Sequence, residues 1–126
     1  VENWALVVED DADSREALIE LLNSSGFAAL GAAGVEEALT VMAETPPSLV
    51  ISDILLGDRE GGELFDIAQQ LLGSHAPPFV FVSGMPASQT TVRASVPFFR
   101  KPMDLEALLE HVAKHCQPVK RTRSAF

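Results

Sequence analysis

The sequence predicts a doubly wound α/β sandwich, a five-stranded parallel sheet with helices on both faces. Three observations lead there. Five short apolar runs recur along the 126 residues. Stretches long enough for helices separate or follow them, and the runs are apolar almost throughout rather than alternating. Strands covered on both faces read in that continuous way, and parallel strands need crossovers that helices supply.

The first run is Trp4–Val8. After it Ala17, Leu18, Leu21 and Leu22 recur at helical spacing while Arg15, Glu16 and Glu20 fall on the other side. Asp11 stands where an N-cap belongs, and Gly26 supplies a stop. A second run, Phe27–Leu30, leads to a helix over Val35–Glu44 with Val35, Ala38, Leu39 and Met42 on one stripe, ended by Pro46 and Pro47. The third run, Leu49–Ile51, precedes a helix over Glu63–Leu72, and the fourth is Phe79–Val82. Pro86 to Ser95 then offers only a short or irregular fourth helix, with β-branched Thr90, Thr91 and Val92 at its middle and Pro97 forcing extended chain. The fifth run is Val96–Phe99, and a final helix spans Leu105–His115 behind an Asp104 N-cap.

Nine basic residues against eighteen acidic ones leave a formal charge of −9. Phosphate backbones are held by Lys and Arg, so no direct nucleic-acid role is expected. Cys116 is the one cysteine and cannot form an internal disulfide. No run reaches the roughly eighteen apolar residues of a membrane span, and Val1-Glu2-Asn3 opens no signal-peptide pattern. These features point to a cytoplasmic protein with no membrane contact. Residues 1–117 read as one domain, and 118–126, with Lys120, Arg121 and Arg123, as a basic C-terminal tail or linker.

In open sheets of this kind polar chemistry collects beyond the carboxyl ends of the strands. Those ends carry Glu9-Asp10-Asp11, Asp53, Ser83 and Lys101-Pro102. Alone, each has an ordinary reading: a capping carboxylate, a strand-end hydroxyl, a surface amine. Together they put acids, a hydroxyl and an amine on one rim. Clustered carboxylates raise each other's pKa unless a hard cation compensates, and Mg²⁺ prefers oxygen ligands while keeping several waters. A cation flanked by a carboxylate nucleophile, an ammonium and a hydroxyl suits phosphoryl transfer, where catalysis is mostly positioning and charge neutralisation.

The blocks Leu6-Val7-Val8-Glu9-Asp10-Asp11, Leu49 through Gly57, and Phe98-Phe99-Arg100-Lys101-Pro102 resemble the three signature blocks of response-regulator receiver domains of two-component systems. The resemblance runs from about Ala5 to His115 and implies a flavodoxin-like (βα)₅ fold with strand order 2-1-3-4-5. It further implies Asp53 as phosphoacceptor, with Glu9, Asp10, Asp53 and the Leu55 backbone carbonyl as Mg²⁺ ligands. Ser83 takes the place of the family's switch hydroxyl, Lys101 that of its phosphoryl-pairing lysine, and Phe98 that of its switch aromatic, although plain core packing serves Phe98 equally well. Pro102 follows a candidate cis peptide bond. The implied donor is a sensor histidine kinase or a histidine phosphotransfer protein, with an unassigned output partner or domain downstream.

The chain departs from the family pattern in two places. Ser83 to Lys101 is several residues short, and Phe81-Val82-Ser83-Gly84-Met85 resembles a subgroup marked by Phe-Ala-Thr-Gly-Tyr. The stretch from Gly57 to Gly62 lacks the usual Pro, and its glycines predict a mobile loop. A metal-dependent phosphatase with an Asp nucleophile is the competing enzyme reading. It would want a second acid two residues on, where this chain has Leu55. His111 and His115 lie one helical turn apart beside Cys116, a spacing able to bind a transition metal, though no further ligand is evident.

Overall fold

The computed structural model describes residues 3–57, 59–83, 96–101 and 104–118. The strands of its main sheet are β1 (Trp4–Val8), β2 (Ala28–Ala32), β3 (Leu49–Asp53), β6 (Phe79–Ser83) and β7 (Phe98–Arg100). All neighbouring pairs are parallel, in the order β2-β1-β3-β6-β7. Counting only these five strands along the chain, the order is the expected 2-1-3-4-5. Helices α1 (Ala12–Ser24), α2 (Val35–Glu44), α3 (Gly61–Leu72) and α4 (Leu105–His115) cover the sheet, and a short antiparallel ribbon of β4 (Leu55–Leu56) and β5 (Arg59–Glu60) follows β3. The expected fourth-helix segment, Met85, the Lys101–Pro102 peptide bond and the tail from 119 onward lie outside the described residues.

Strand alternation divides the core into two clusters. Leu6, Val8, Val50, Phe79 and Phe81 face α2 and α3, while Ala5, Val7, Ile51, Val80 and Val82 face α1 and α4. Phe65, Phe79 and Phe81 meet edge to face on the first side, with ring centres 5.2–6.4 Å apart. The two phenylalanines of β7 obey the same rule: Phe98 packs into the first cluster and Phe99 into the second.

The helix caps follow from residue chemistry. Asp11 accepts from the Ser14 N–H at 2.8 Å, and Asp104 from the Glu106 and Ala107 N–H groups at 3.1 and 3.2 Å. Gly26, at φ +96°, turns the chain out of α1.

Some boundaries differ from the sequence reading. β2 continues past the expected end at Leu30 through Gly31 and Ala32, because both pair with β1. β7 begins at Phe98 because Pro97 has no N–H for the ladder, while its carbonyl still accepts from Phe81 at 2.9 Å.

The larger difference is the stretch expected to be a mobile glycine loop. Leu55–Leu56 pairs with Arg59–Glu60, and Gly61 and Gly62 are buried residues of α3. A Cβ on Gly61 would stand 2.3 Å from the Asp53 carbonyl oxygen and 2.9 Å from the Ser52 hydroxyl oxygen. Backbone cannot yield as a flexible side chain can, so glycine serves close approach here. Gly61→Ala should therefore destabilise by about 1–3 kcal/mol. Gly34→Ser, where a Cβ meets nothing within 4 Å, should stay within about 0.5 kcal/mol of the parent. Urea denaturation of both variants checks this; equal midpoints would contradict it.

Candidate functional site

The carboxyl ends of β1, β3 and β6 lie side by side because their registers run level, Val8 beside Ser52 and Asp53 beside Val82. Glu9 therefore emerges next to Asp53. The Lys101 N–H donates to the Ser83 carbonyl at 2.7 Å, which fixes the chain leaving β7 at the end of β6. From there the Lys101 Nζ donates to Glu9 Oε1 and to Asp53 Oδ2, each at 3.2 Å.

One ammonium thus serves two carboxylates. Glu9 is only 8% exposed, and burial raises its pKa above the usual carboxylate value. Hydrogen bonding to Asp53 and the Asp53 charge push the same way, while the Asp11 N–H and Lys101 pull back without cancelling the rise. Lys101 shows the complementary balance. Burial opposes its charge, yet Asp53 and Glu9 outweigh burial and its pKa is raised. Its share of folding stability is accordingly present at neutral pH and lost only as alkaline pH passes the raised value.

Asp10 points elsewhere. Its Oδ2 accepts from the Gly57 N–H at 3.0 Å, tying the loop after β1 to the turn of the ribbon. Asp53 Oδ1 accepts from the Leu55 N–H at 3.3 Å. The Gly61 N–H donates to the Ile54 carbonyl, so Leu55 opposite Glu60 is a non-hydrogen-bonded pair and the Leu55 carbonyl lies outside the ladder. Among the described residues no three His, Cys, Asp or Glu side chains converge as a ready cation cage. The donor chemistry still suits a hard cation. Two adjoining carboxylates exceed one ammonium in charge, and Mg²⁺ needs only one or two carboxylates because it retains water.

The structure therefore gathers Glu9, Asp53, Lys101 and the Ser83 main chain at one point, with Asp10 and Leu55 at its margin. Phe98 belongs to the core on the α2–α3 face, partly buried. Three contributors escaped the sequence reading. Arg15 donates to the Glu9 carbonyl at 2.8 Å and holds the end of β1. Gly57 supplies the amide that holds Asp10, and Arg59 pairs with Glu36 and Glu63, strapping the ribbon to α2 and α3. Only their charge or turn chemistry was visible in sequence, since Gly57 and Arg59 reach Asp10 and Glu36, far off in sequence, and Arg15 bonds a backbone carbonyl.

The model for the response regulator receiver domain matches residues 5–113. The chain is 33% identical to the response regulator protein FleR of Pseudomonas aeruginosa over 116 residues, which is 87% of this chain and 24% of FleR, so it spans about a quarter of that relative. A crystal structure of a response regulator receiver protein from Pseudomonas putida superposes with TM-score 0.79 at 33% identity, covering 90% of this chain and 98% of that one. The receiver domain of the hybrid histidine kinase CckA gives TM-score 0.71 at 33% identity over the same shares.

The charge balance can be tested without any ligand. In Lys101→Met the ionisation of Glu9 should move to still higher pH, because the attraction that favoured its charged form is gone. A ¹³C NMR titration of the side-chain carboxyls reads this directly. An unchanged or lower Glu9 midpoint would mean that Lys101 does not compensate it.

Proposed function

The chain belongs to the response regulator receiver domain family, and on that premise we propose that Asp53 is its phosphoacceptor in a cytoplasmic phosphorelay. The observation that carries this reading is the Lys101 ammonium held 3.2 Å from an oxygen of Asp53 at the carboxyl end of the central strand. Asp53 is the nucleophile. One of its oxygens forms the new bond to phosphorus as the bond to a donor histidine nitrogen breaks, and the donor imidazole, protonated on its other nitrogen, takes that electron pair and leaves as the neutral ring. Lys101 sits where charge on the phosphoryl oxygens needs neutralising. Ser83, buried at the end of β6, is the hydroxyl that engages the phosphoryl group and begins the switch. Phe98, beside Phe81 and packed on the α2–α3 face, is the aromatic that answers that switch.

Glu9, Asp10, Asp53 and the Leu55 carbonyl are the residues that would hold Mg²⁺, which when bound supplies positive charge to the phosphoryl oxygens. Asp10 must exchange its Gly57 contact for that role, a small rotation of an exposed side chain. The domain catalyses its own phosphorylation and dephosphorylation and acts on no outside substrate. Its partners are a sensor histidine kinase or a histidine phosphotransfer protein upstream and a separate or attached output element downstream. Among the described residues no helix is long and apolar enough to cross a membrane. We assign 1–117 to the receiver and 118–126 to a basic tail.

With Mg²⁺ and acetyl phosphate the protein should gain one phosphoryl group by mass spectrometry, and Asp53→Asn should gain none. Phosphorylation of the Asn variant at the parental rate would overturn the assignment. Glu9→Gln and Asp10→Asn should each weaken Mg²⁺ binding, since each removes a negative charge. Unchanged Mg²⁺ titrations in both variants would remove them from the cation site.

A further inference from the structure

At the amino ends of β6 and β7, far along the sheet from Asp53, a groove of about 470 Å³ opens between α3 and α4. Gln69, Phe79, Pro97, His111 and His115 line it. The two imidazoles face each other on α4 with ring centres 5.0 Å apart and planes inclined at 58°. The Nε2 atom of His111 is buried and has no hydrogen-bond partner among the described residues.

We propose that His111 and His115 form a binding site for a borderline divalent transition-metal ion such as Zn²⁺, Ni²⁺ or Cu²⁺. Three observations support it. Histidines four residues apart on a helix project from one face. Imidazole nitrogen binds such an ion at about 2 Å, and adding the ring radius on each side of one tetrahedral ion puts the centroids about 5 Å apart, the separation found here. Ring packing alone would also bring the rings together. It would not account for the orphaned Nε2, because buried polar atoms nearly always have a partner and an unpaired one points to an ion or water.

The ligand count limits the site. Cys116 is buried in the opposite core cluster beside Val112 and is not available, although it is the next residue in sequence. The pair therefore supplies two nitrogens and leaves coordination positions to water or an incoming donor. Nitrogen ligands also separate this site from the carboxylates around Asp53, since hard Mg²⁺ favours oxygen and the borderline ions favour imidazole.

The test is a Zn²⁺ titration of the whole chain in excess Mg²⁺, followed by the ¹⁵N resonances of its three histidines. His111 and His115 should shift together and saturate at one Zn²⁺ per chain, while His75 stays still. His115→Ala, at an exposed position, should weaken binding about a hundredfold, because the second ligand no longer acts at high effective concentration. His111→Phe keeps an aromatic ring against Phe99 and should do the same. A shift of His115 alone, no shift at all, or parental affinity in either variant would overturn the proposal and leave the two rings as packing.

Discussion

The site depends on a charge mismatch: two carboxylates, Glu9 and Asp53, share the single Lys101 ammonium. Each is mostly buried, so water cannot make up the difference, and Glu9 responds by holding its proton more tightly. Such an arrangement is poorly compensated as it stands. A cation or a rearranged hydrogen-bond network would relieve it, which makes the rim responsive to positive charge. A fully neutralised cluster would have far less to gain from binding a cation.

The fold maintains that mismatch because each contributor is fixed by main chain. Glu9 and Asp53 follow from the level registers of β1, β3 and β6, and Lys101 from the bond of its own N–H to Ser83. The ribbon after β3 adds a second constraint. It is held to the loop after β1 by Asp10, to α2 and α3 by Arg59, and against Asp53 by the close approach of Gly61. Exposed ion pairs such as those of Arg59 contribute little energy singly. Their effect here is geometric, because they hold the ribbon in place against α2 and α3.

Much of this was legible in the sequence. Continuous apolar runs predict the parallel sheet, Asp11 and Asp104 announce their helices, and the strand-end acids and lysine mark the rim. What escaped notice was of two kinds. The β4–β5 ribbon has strands of two residues, too short for any periodicity, so Gly57 to Gly62 read as a loose loop. Arg15, Gly57 and Arg59 act on residues distant in sequence or through backbone atoms, and no local pattern carries that information. The final helix shows the reverse case. Adjacent residues His115 and Cys116 looked like partners, yet the helix ends between them and turns the thiol into the core while the imidazole stays outside.

Lys101 and Asp53 acting together on a phosphoryl group is the central proposal. Beryllofluoride forms a stable tetrahedral adduct with a reactive carboxylate and stands in for that group, so a crystal structure of the protein with Mg²⁺ and beryllofluoride is the most direct measurement. On that proposal one adduct forms on an Asp53 oxygen, the Lys101 Nζ lies within hydrogen-bond distance of a fluorine, and Glu9 is released from Lys101. An adduct on another carboxylate, or an Asp53 adduct with Lys101 still bridging Glu9 and Asp53, would contradict it.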